Sequence, residues 1–497
     1  MNPLKKLASQ TALYGLSSII GRFLNYLLVP LYTYTLPAAS YGTVSEFYAY
    51  AGFFAVVLIF GLETGYFRFR VREEVGDKAA YAAALVIVIT LNLLFISAIF
   101  IAKEPLSLWL RYPDHPEYVE LFGAILAIDA VSALAFAKLR AEDRAGRFVI
   151  IKITEIVVAI GLNLLFLLGP QVLRGLWPAL DAYVPLGDAW RISAIFIANL
   201  TATIIKWILL LPQYRGVPWL KAGPVLIPIA RYSLPMVVIG FAGIVNEMLD
   251  RVLLKYWLPN DLNTNLQQLG IYGACYKLSI LMTLFIQAFR YAAEPFFFSY
   301  SQQADAKAVY ASVMRYFVIF CVFIFLLVSL FLEYFQYFVG PEYRQGLDVV
   351  PILLLANLFL GIYVNLSIWY KLTDKTGVGA LISLFGAVLT LFLNIWWIPV
   401  LGYLGSAWAT LVCYSSMSLI SYGLGRRFYP VPYPILRMTA YLLFGVVIYM
   451  THRWILSCVV GDLWSGLALM ASFLCVTLLV EWPFRSKKDV RREIGAR

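Results

Sequence analysis

Charged side chains lie deep inside apolar stretches of this chain, where they could bind an oppositely charged group. Arg22 stands near the middle of the apolar stretch 11–34, roughly 16 Å along a helix that begins at Thr11. A charge at that depth of a bilayer costs at least about 2.5–3.5 kcal/mol, so it normally faces a bundle interior or a water-filled cavity. The alternatives are a side chain that extends to the lipid headgroups and one that pairs with a carboxylate.

Three more cations lie in or at the ends of apolar stretches. Lys277 is nine residues inside a predicted span, too deep to reach the headgroups easily, so we expect it to face a cavity. Arg290 ends the same span, and Arg251 follows Asp250 near the end of another. Each of these two arginines is either a binding group or an anchor at the membrane surface.

Carboxylates inside the spans could pair with these cations or bind a small cation. Asp129 lies in the middle of a predicted span that contains no arginine, so it could partner Arg22 or bind an ion. Asp250 directly precedes Arg251, and Glu46 lies near the end of its span. Both are therefore expected to act as charge partners or as ion-binding groups.

Known catalytic and metal-binding patterns do not occur in the sequence. The two histidines, His115 and His452, are far apart, and the five cysteines lie in apolar stretches without pairing or metal-ligand spacing. There is no phosphate-binding glycine loop and no serine–histidine–aspartate arrangement. We therefore expect no metal, no cofactor and no enzymatic activity.

The elements that carry these residues must be membrane-spanning helices. Hydrophobic residues make up 62% of the 497 positions and charged residues only 13%, which excludes a large soluble protein. We predict an all-α polytopic membrane protein with about fourteen spans. The predicted spans are 11–34, 44–63, 80–102, 119–138, 149–169, 191–211, 232–257, 268–290, 310–332, 347–369, 379–399, 404–424, 437–456 and 464–482.

Positive charge is concentrated on alternate loops. With the amino terminus in the cytoplasm, 29 of the 39 Lys and Arg residues fall on the cytoplasmic side and 8 on the other. Lys206 is counted with the cytoplasmic group and Lys255 with the opposite group. This bias predicts that both termini are cytoplasmic. It accounts for the net charge of +11 without a nucleic-acid partner, and the basic loops are free to contact membrane lipids.

Matching positions in the two halves of the chain indicate an internal repeat of six spans. Four pairs occur in the same order in both halves, at similar separations: Tyr14 and Tyr232, Gly42 and Gly270, Asp143 and Asp374, Asn163 and Asn394. Six is an even number, so both halves have the same orientation, a symmetry that transporters use for alternating access. Arg22 aligns with Gly240, so this helix can be built without a charge, which favours a cavity role for Arg22.

The repeat also predicts the domain organisation. We expect an amino-terminal six-helix bundle (1–211), a cytoplasmic linker (212–231), a pseudo-symmetric second six-helix bundle (232–424), an extra helix pair (437–482) and a cytoplasmic tail (483–497).

Five loose motifs occur in order along the chain. They are LPAASYGTVSEF (36–47), GLETGYFRFR (61–70), YSLPMVVIGFAGIVNEMLDRVLLK (232–255), LGIYGACYK (269–277) and IPVLGYLGSAWA (398–409). Together they resemble the polysaccharide (O-antigen type) flippases of the multidrug/oligosaccharidyl-lipid/polysaccharide (MOP) exporter superfamily. The resemblance implies movement of an undecaprenyl-diphosphate-linked oligosaccharide, the repeat unit of O-antigen, capsule or exopolysaccharide, from the cytoplasmic to the periplasmic leaflet. It also implies a bacterial inner membrane and contact with polysaccharide polymerase machinery.

A lipid diphosphate gives the charged residues specific roles under this resemblance. Arginine binds phosphate through two parallel hydrogen bonds and lysine acts as a point charge. The expected diphosphate-binding residues are Arg22, Arg251, Lys277 and Arg290. The expected ion-coupling groups or charge partners are Glu46, Asp129 and Asp250.

Three alternatives remain open from the sequence. A lipid II flippase fits the extra helix pair, and a multidrug or cation antiporter belongs to the same superfamily but would favour a cavity dominated by carboxylates. The third is a membrane O-antigen polymerase or ligase, an enzyme that usually needs a large periplasmic loop. The longest exterior loop here is the short stretch 170–190, which favours a transporter.

Overall fold

A computed structural model describes residues 21, 23–24, 26–176, 187–456 and 462–495, and within these ranges the chain is helical without strands. The helices of the first half are α1 (Leu28–Thr35), α2 (Ala38–Ile59), α3 (Leu62–Phe69), α4 (Asp77–Ile101), α5 (Lys103–Trp109), α6 (Pro116–Ala141), α7 (Ala145–Leu176), α8 (Asp188–Leu210) and α9 (Gly223–Trp257).

The remaining helices run to the end of the described chain. They are α10 (Leu262–Leu278), α11 (Ile280–Tyr300), α12 (Ala306–Leu330), α13 (Leu332–Phe335), α14 (Val349–Leu366), α15 (Ile368–Leu372), α16 (Thr376–Leu401), α17 (Tyr403–Phe428), α18 (Ile435–Thr451) and α19 (Asp462–Gly495). Short 3₁₀ segments cover Leu211–Tyr214, Trp219–Lys221, Gln336–Phe338 and Pro341–Gly346.

The prediction of an all-α polytopic membrane protein is confirmed. Among the described residues, eleven helices are long and apolar enough to cross a bilayer, and the bent pair α10–α11 makes a twelfth candidate. These coincide with twelve of the fourteen predicted spans. The predicted span 404–424 corresponds to α17, which is not among those candidates. Most of the predicted span 11–34 lies outside the described residues.

Two predicted spans are interrupted. In the span 44–63, Phe60 and Gly61 both take left-handed backbone, with φ of 56° and 64°, and they separate α2 from α3. A Cβ at Gly61 would stand 2.8 Å from Cβ of Met236 on α9, so both the backbone angle and this close approach require glycine. In the span 268–290, α10 and α11 meet at Ser279 with a 49° bend.

One compact unit comprises Met1–Ala274, Gly340–Tyr343 and Ala380–Ala409. In it α6 packs against α2, α4 and α8, while α7 packs against α8. α9 lies along α2 and α4, where the fully buried side chains of Ala80 and residues 82–84 permit close helix packing.

The other unit comprises Cys275–Val339, Arg344–Gly379 and Thr410–Arg497. α12 lies at its centre and packs against α14, α18 and α19. The buried carboxylate of Glu481 on α19 lies 3.3 Å from the Arg315 guanidinium and accepts a hydrogen bond of 3.0 Å from the Tyr441 hydroxyl. This contact attaches the last helix to α12 and α18. The predicted bundles 1–211 and 232–424 were derived from the repeat and have other bounds than these two units. They stay a prediction.

Positions paired by the repeat have the same local geometry. Asp143 and Asp374 both take left-handed backbone, with φ of 57° and 55°, a conformation that aspartate tolerates better than most residues. After each, the next amide donates to the carbonyl five positions earlier, at 2.9 Å and 2.8 Å, which closes the preceding helix. Asn163 and Asn394 are fully buried, and each donates to the carbonyl four positions earlier, at 2.7 Å and 2.8 Å.

The paired glycines Gly42 and Gly270 form a symmetric helix crossing within the first unit. A Cβ at Gly42 would stand 2.0 Å from the carbonyl oxygen of Leu266, and one at Gly270 would stand 1.9 Å from that of Ala38. Ala38 and Leu266 are separated along the chain by the same distance as the two glycines. The two contacts are therefore equivalent under the repeat, and α2 and α10 touch backbone to backbone.

Candidate functional site

The charged residues predicted from the sequence fall in several separate places. Arg22 lies outside the described residues. Lys277 is half-buried in the last turn of α10 and is engaged in interactions. The others belong to four charged clusters, three of which also contain charged residues that the sequence analysis did not select.

The first cluster is a fully buried ion pair between Glu46 on α2 and Lys255 on α9. The Lys255 ammonium donates to the two carboxylate oxygens at 2.9 Å and 2.8 Å and to the Leu110 carbonyl at 2.5 Å. Tyr50 and Tyr112 donate their hydroxyls to the same carboxylate at 2.7 Å and 2.6 Å. Neither charged side chain is exposed to solvent. The charges thus satisfy each other, which is what makes a buried pair tolerable.

The surroundings of this pair are aromatic. The Lys255 ammonium also lies 3.8 Å from the centre of the Tyr112 ring, a cation–π contact that is strengthened by the absence of water. Burial, and then the nearby Glu46 carboxylate, raise the pKa of Tyr112 well above its ordinary value. The hydroxyl therefore stays protonated as the donor to Glu46, and the cluster fixes α2, α9 and the turn after α5 to one another.

The second cluster places one ammonium between two carboxylates. Lys206 on α8 is 3% exposed; it donates to Asp129 on α6 and, at 2.6 Å, to Glu155 on α7. Lys152 lies 3.2 Å from the same Glu155. The Asp129 side chain is 46% exposed, so this carboxylate is also accessible from outside the cluster.

The third cluster contains Asp250 and Arg251 at the end of α9. The Asp250 carboxylate accepts hydrogen bonds from the Tyr272 hydroxyl at 2.5 Å and from the Arg251 guanidinium at 3.2 Å. The guanidinium also donates to the Glu247 carbonyl at 2.6 Å. Both charged residues are buried. Arg251 is thus already neutralised in this conformation.

The fourth cluster lies at the junction of α11 with α14 and α15 in the second unit. The Lys371 ammonium donates to Glu294 at 2.6 Å, and the two side chains are 31% and 39% exposed. Arg290 is exposed one turn before Glu294 and lines the same pocket. Among the described residues, no carboxylate lies within ion-pair distance of Arg290. It is therefore the accessible cation among the predicted binding residues that the structure describes.

The Lys371–Glu294 ion pair of the fourth cluster has a counterpart in the first half of the chain. Arg140 donates to Glu63 at 2.5 Å, with 36% and 34% of the side chains exposed. Each pair joins residues 77 positions apart. The offset that relates Asp143 to Asp374 also relates Glu63 to Glu294 and Arg140 to Lys371. The ion pair therefore belongs to the repeated scaffold.

Sequence reasoning did not select several charged members of these clusters as site residues: Lys152, Glu155, Lys206, Lys255 and Lys371. Lys206 and Lys255 were counted as loop charges, and this is wrong, because both are buried within helices. The signal was present, since the predicted spans 191–211 and 232–257 contain them. A carboxylate inside a span needs a partner, so Glu46 and Asp129 indicated ammonium groups at a similar depth. In the described part of the chain, no group of three His, Cys, Asp or Glu residues is arranged to hold a metal ion.

Comparisons with known proteins point to one family and one fold. Residues 7–301, more than half of the chain, match the family model of polysaccharide biosynthesis proteins. No sequence among curated proteins matches the chain. The fold is similar to that of the lipid II flippase MurJ in an inward closed conformation, with a TM-score of 0.64, 12% identity, and coverage of 94% of this chain and 98% of that one.

Multidrug transporters have the same fold. A MATE family transporter of the MOP superfamily in an inward-facing conformation matches with a TM-score of 0.60, 13% identity, and coverage of 86% of this chain and 95% of that one. The MATE multidrug transporter DinF-BH matches with a TM-score of 0.59, 17% identity, and coverage of 86% of this chain and 97% of that one. At these identities the structural matches establish the fold alone.

Proposed function

Because the chain belongs to the family of polysaccharide biosynthesis proteins and has the fold of MOP superfamily transporters, we propose that it flips a lipid-linked glycan. The substrate would be an undecaprenyl-diphosphate-linked oligosaccharide, the repeat unit of O-antigen, capsule or exopolysaccharide. Its direction of movement would be from the cytoplasmic to the periplasmic leaflet. The mechanism would be alternating access between the two predicted bundles, without catalysis.

The observation that carries this proposal is the difference in pairing between cations and carboxylates. Arg290 is exposed and has no carboxylate within ion-pair distance in the described part of the chain. The carboxylates Glu46 and Asp250 are buried and paired with cations, and the partly exposed Asp129 and Glu294 are paired as well. A cationic drug would need free carboxylates, whereas a diphosphate needs a free guanidinium. This difference favours an anionic lipid substrate over a cationic drug.

Four cations are the proposed diphosphate ligands: Arg22, Arg251, Lys277 and Arg290. Arg290 is available without rearrangement, while Arg251 would first have to exchange Asp250 for a phosphate. Arg22 and Lys277 are proposed from their depth in the sequence. We expect Arg22→Ala and Lys277→Ala to abolish surface glycan in a flippase-null strain, because each removes a charge-assisted contact to the phosphates.

The complementation assay needs a matched control and a check on protein level. Arg453→Ala removes a cation of an exposed ion pair with Asp348, 59% and 68% exposed, and should leave export unchanged because such pairs contribute little. If Arg22→Ala and Lys277→Ala both export glycan normally at normal expression, these ligands are wrongly assigned. If the wild-type protein restores no glycan export but rescues a strain lacking its lipid II flippase, the lipid II alternative is correct.

We also propose that export is coupled to a cation through Asp129, Asp250 or Glu46. Asp129 is the accessible carboxylate of these three, with 46% of its side chain exposed against 6% for Asp250 and 0% for Glu46. In vesicles carrying a pH or sodium gradient, Asp129→Asn should make transport insensitive to the gradient. Transport by the wild-type protein that ignores both gradients would exclude this coupling.

The location follows from the same proposal. The charge bias of the loops predicts cytoplasmic termini, and a lipid-linked glycan substrate requires the bacterial inner membrane. Contact with polysaccharide polymerase machinery is proposed because that machinery would consume the flipped substrate. Single cysteines introduced in the tail and at the exposed Gln345, labelled with a membrane-impermeant reagent in intact and in permeabilised cells, would test the orientation.

A further inference from the structure

We propose that the pocket of the fourth cluster binds the phosphate group of a lipid at the membrane surface before the lipid crosses. The pocket lies within the second unit at the junction of α11, α14 and α15. Its polar lining consists of Arg290, Glu294, Asn365, Ser367 and Lys371, and its apolar walls include Phe289 and Phe297. The pocket opens to the surface of the protein. This proposal rests on the proposed function for the identity of the lipid.

Two hydrogen-bond donors in this pocket lack an acceptor in the described part of the chain. Asn365 is 3% exposed, and its Nδ2 atom is buried without a hydrogen-bond partner. The Arg290 guanidinium has no carboxylate within ion-pair distance there and lies 5.9 Å from the Tyr291 ring. A buried polar group without a partner is costly, and this applies to Asn365. Arg290 is exposed, and both side chains line the pocket, so an anion bound there would supply the missing acceptors.

The Lys371–Glu294 pair does not close the pocket to an anion. Both side chains are about one-third exposed, whereas the Glu46–Lys255 pair is completely buried. Exposed pairs are weak, and a diphosphate carries more charge than the single Glu294 carboxylate. Lys371 can therefore leave Glu294 and bind a phosphate instead. Glu294 neutralises Lys371 when no lipid is bound.

The repeat separates the scaffold from the added donors. The equivalent pair in the first half, Glu63 and Arg140, has the same spacing and similar exposure. The offset that relates the two ion pairs places Arg290 opposite Ile59 and Asn365 opposite Leu134. The first half thus has the ion pair without the two extra donors. Since the fold can be built with Ile and Leu at these positions, Arg290 and Asn365 are not needed to form the ion pair.

The position and walls of the pocket select a lipid phosphate. Lys371 lies one residue before the end of the membrane-span candidate Val349–Leu372, at the depth of lipid headgroups. Aromatic walls beside the cations suit the first isoprenoid units of a lipid tail better than a free, hydrated phosphate. A lipid-linked diphosphate and an anionic phospholipid share this chemistry, so the experiment must separate the two.

Binding to the purified full-length protein would test this site. Native mass spectrometry would measure undecaprenyl diphosphate, cardiolipin and phosphatidylethanolamine in separate titrations. The variants Arg290→Ile and Asn365→Leu give the pocket the composition of the first half. We expect each to weaken undecaprenyl diphosphate binding about tenfold or more, because each removes a hydrogen bond to a charged group.

Two further variants distinguish a binding site from a structural ion pair. Glu294→Gln should tighten binding at least about twofold, since it frees Lys371 and removes a negative charge from the pocket. If the pair is purely structural, Glu294→Gln and Lys371→Ala should both weaken lipid binding to the same extent. Arg140→Ala is the matched control, because it breaks the equivalent pair in the first half and should leave binding unchanged.

The outcomes separate this site from the proposed function. If Arg290→Ile and Asn365→Leu bind both anionic lipids like the wild type, the pocket is not a phosphate site, even if the protein exports glycan. If only cardiolipin binding depends on these residues, the proposed occupant is wrong and the pocket holds bulk lipid. If pocket-dependent binding of undecaprenyl diphosphate persists although the protein exports no glycan, the site stands and the proposed function fails.

Discussion

The buried pair of Glu46 and Lys255 gives a quantitative prediction about stability. Lys255→Met removes all three hydrogen bonds of the ammonium and leaves the Glu46 carboxylate with two tyrosine hydroxyls as donors. Breaking a buried pair by removing one partner typically costs about 3–5 kcal/mol, because the remaining charge stays buried without compensation. The pair has no exposure at all, so solvent cannot screen the orphaned charge. We therefore expect Lys255→Met to lower the free energy of unfolding by about 3–5 kcal/mol.

The reciprocal and double variants sharpen this prediction. Glu46→Gln leaves a buried ammonium and should also cost about 3–5 kcal/mol. The double variant Glu46→Gln/Lys255→Met removes both charges, so its cost should fall below that of either single variant. Arg111→Gln is the control. It removes an exposed cation that lies 5.0 Å from the Tyr256 ring and should cost about 1 kcal/mol or less.

Unfolding of the purified protein in mixed micelles, followed by tryptophan fluorescence against increasing detergent denaturant, would measure these differences. The reasoning is refuted if either single variant loses less than about 1 kcal/mol, well under the cost typical of a broken buried pair. It is also refuted if the cost of the double variant equals the sum of the two single costs. Additivity would mean that the two side chains do not stabilise each other, despite their contact distance.

Two further predictions follow from contacts in the first unit. Lys206→Met should lower stability by about 1–3 kcal/mol, because it removes the main donor to Glu155, which keeps Lys152, and to Asp129, which is 46% exposed. Asp129→Asn should change stability little for the same reason of exposure. Unfolding curves that rank the two variants in reverse would contradict this. Gly42→Ala and Gly270→Ala should both reduce the amount of folded protein, because each added Cβ would stand within 2.0 Å of a carbonyl oxygen. The measurement is the amount of protein that elutes as a monodisperse peak in size-exclusion chromatography. Gly243→Ala is the control and should elute like the wild type, since no atom lies within 4 Å of its added Cβ.

Much of the fold was predictable because lipid imposes simple rules. A bilayer demands about 20 apolar residues per span and satisfies no backbone group, so span positions follow from composition. The breaks within spans were not predictable in this way. Phe60 takes left-handed backbone without being glycine, and Ser279 interrupts a stretch that reads as one apolar segment. Both depend on neighbouring helices that the local sequence does not specify.

The clusters were harder to predict than the fold. The sequence identifies charges at unusual depth but does not say which of them meet, because the partners are far apart along the chain. Glu46 and Lys255 are 209 residues apart, and Lys206 and Asp129 are 77 apart. Assigning Lys206 and Lys255 to loops by charge counting hid two of the cations that balance these carboxylates.

The repeat provides the remaining argument, because it distinguishes residues that build the scaffold from those that were added to it. Asp143, Asn163 and the Glu63–Arg140 pair all recur in the second half with the same contacts. Arg22 and Arg290 do not recur, since their equivalents are Gly240 and Ile59. A charge that only one half carries is not required by the fold that both halves share. Glu46 and Lys255 do not recur either, but they neutralise each other. Arg290 has no carboxylate within ion-pair distance in the described part of the chain, and we propose that its ligand is a phosphate.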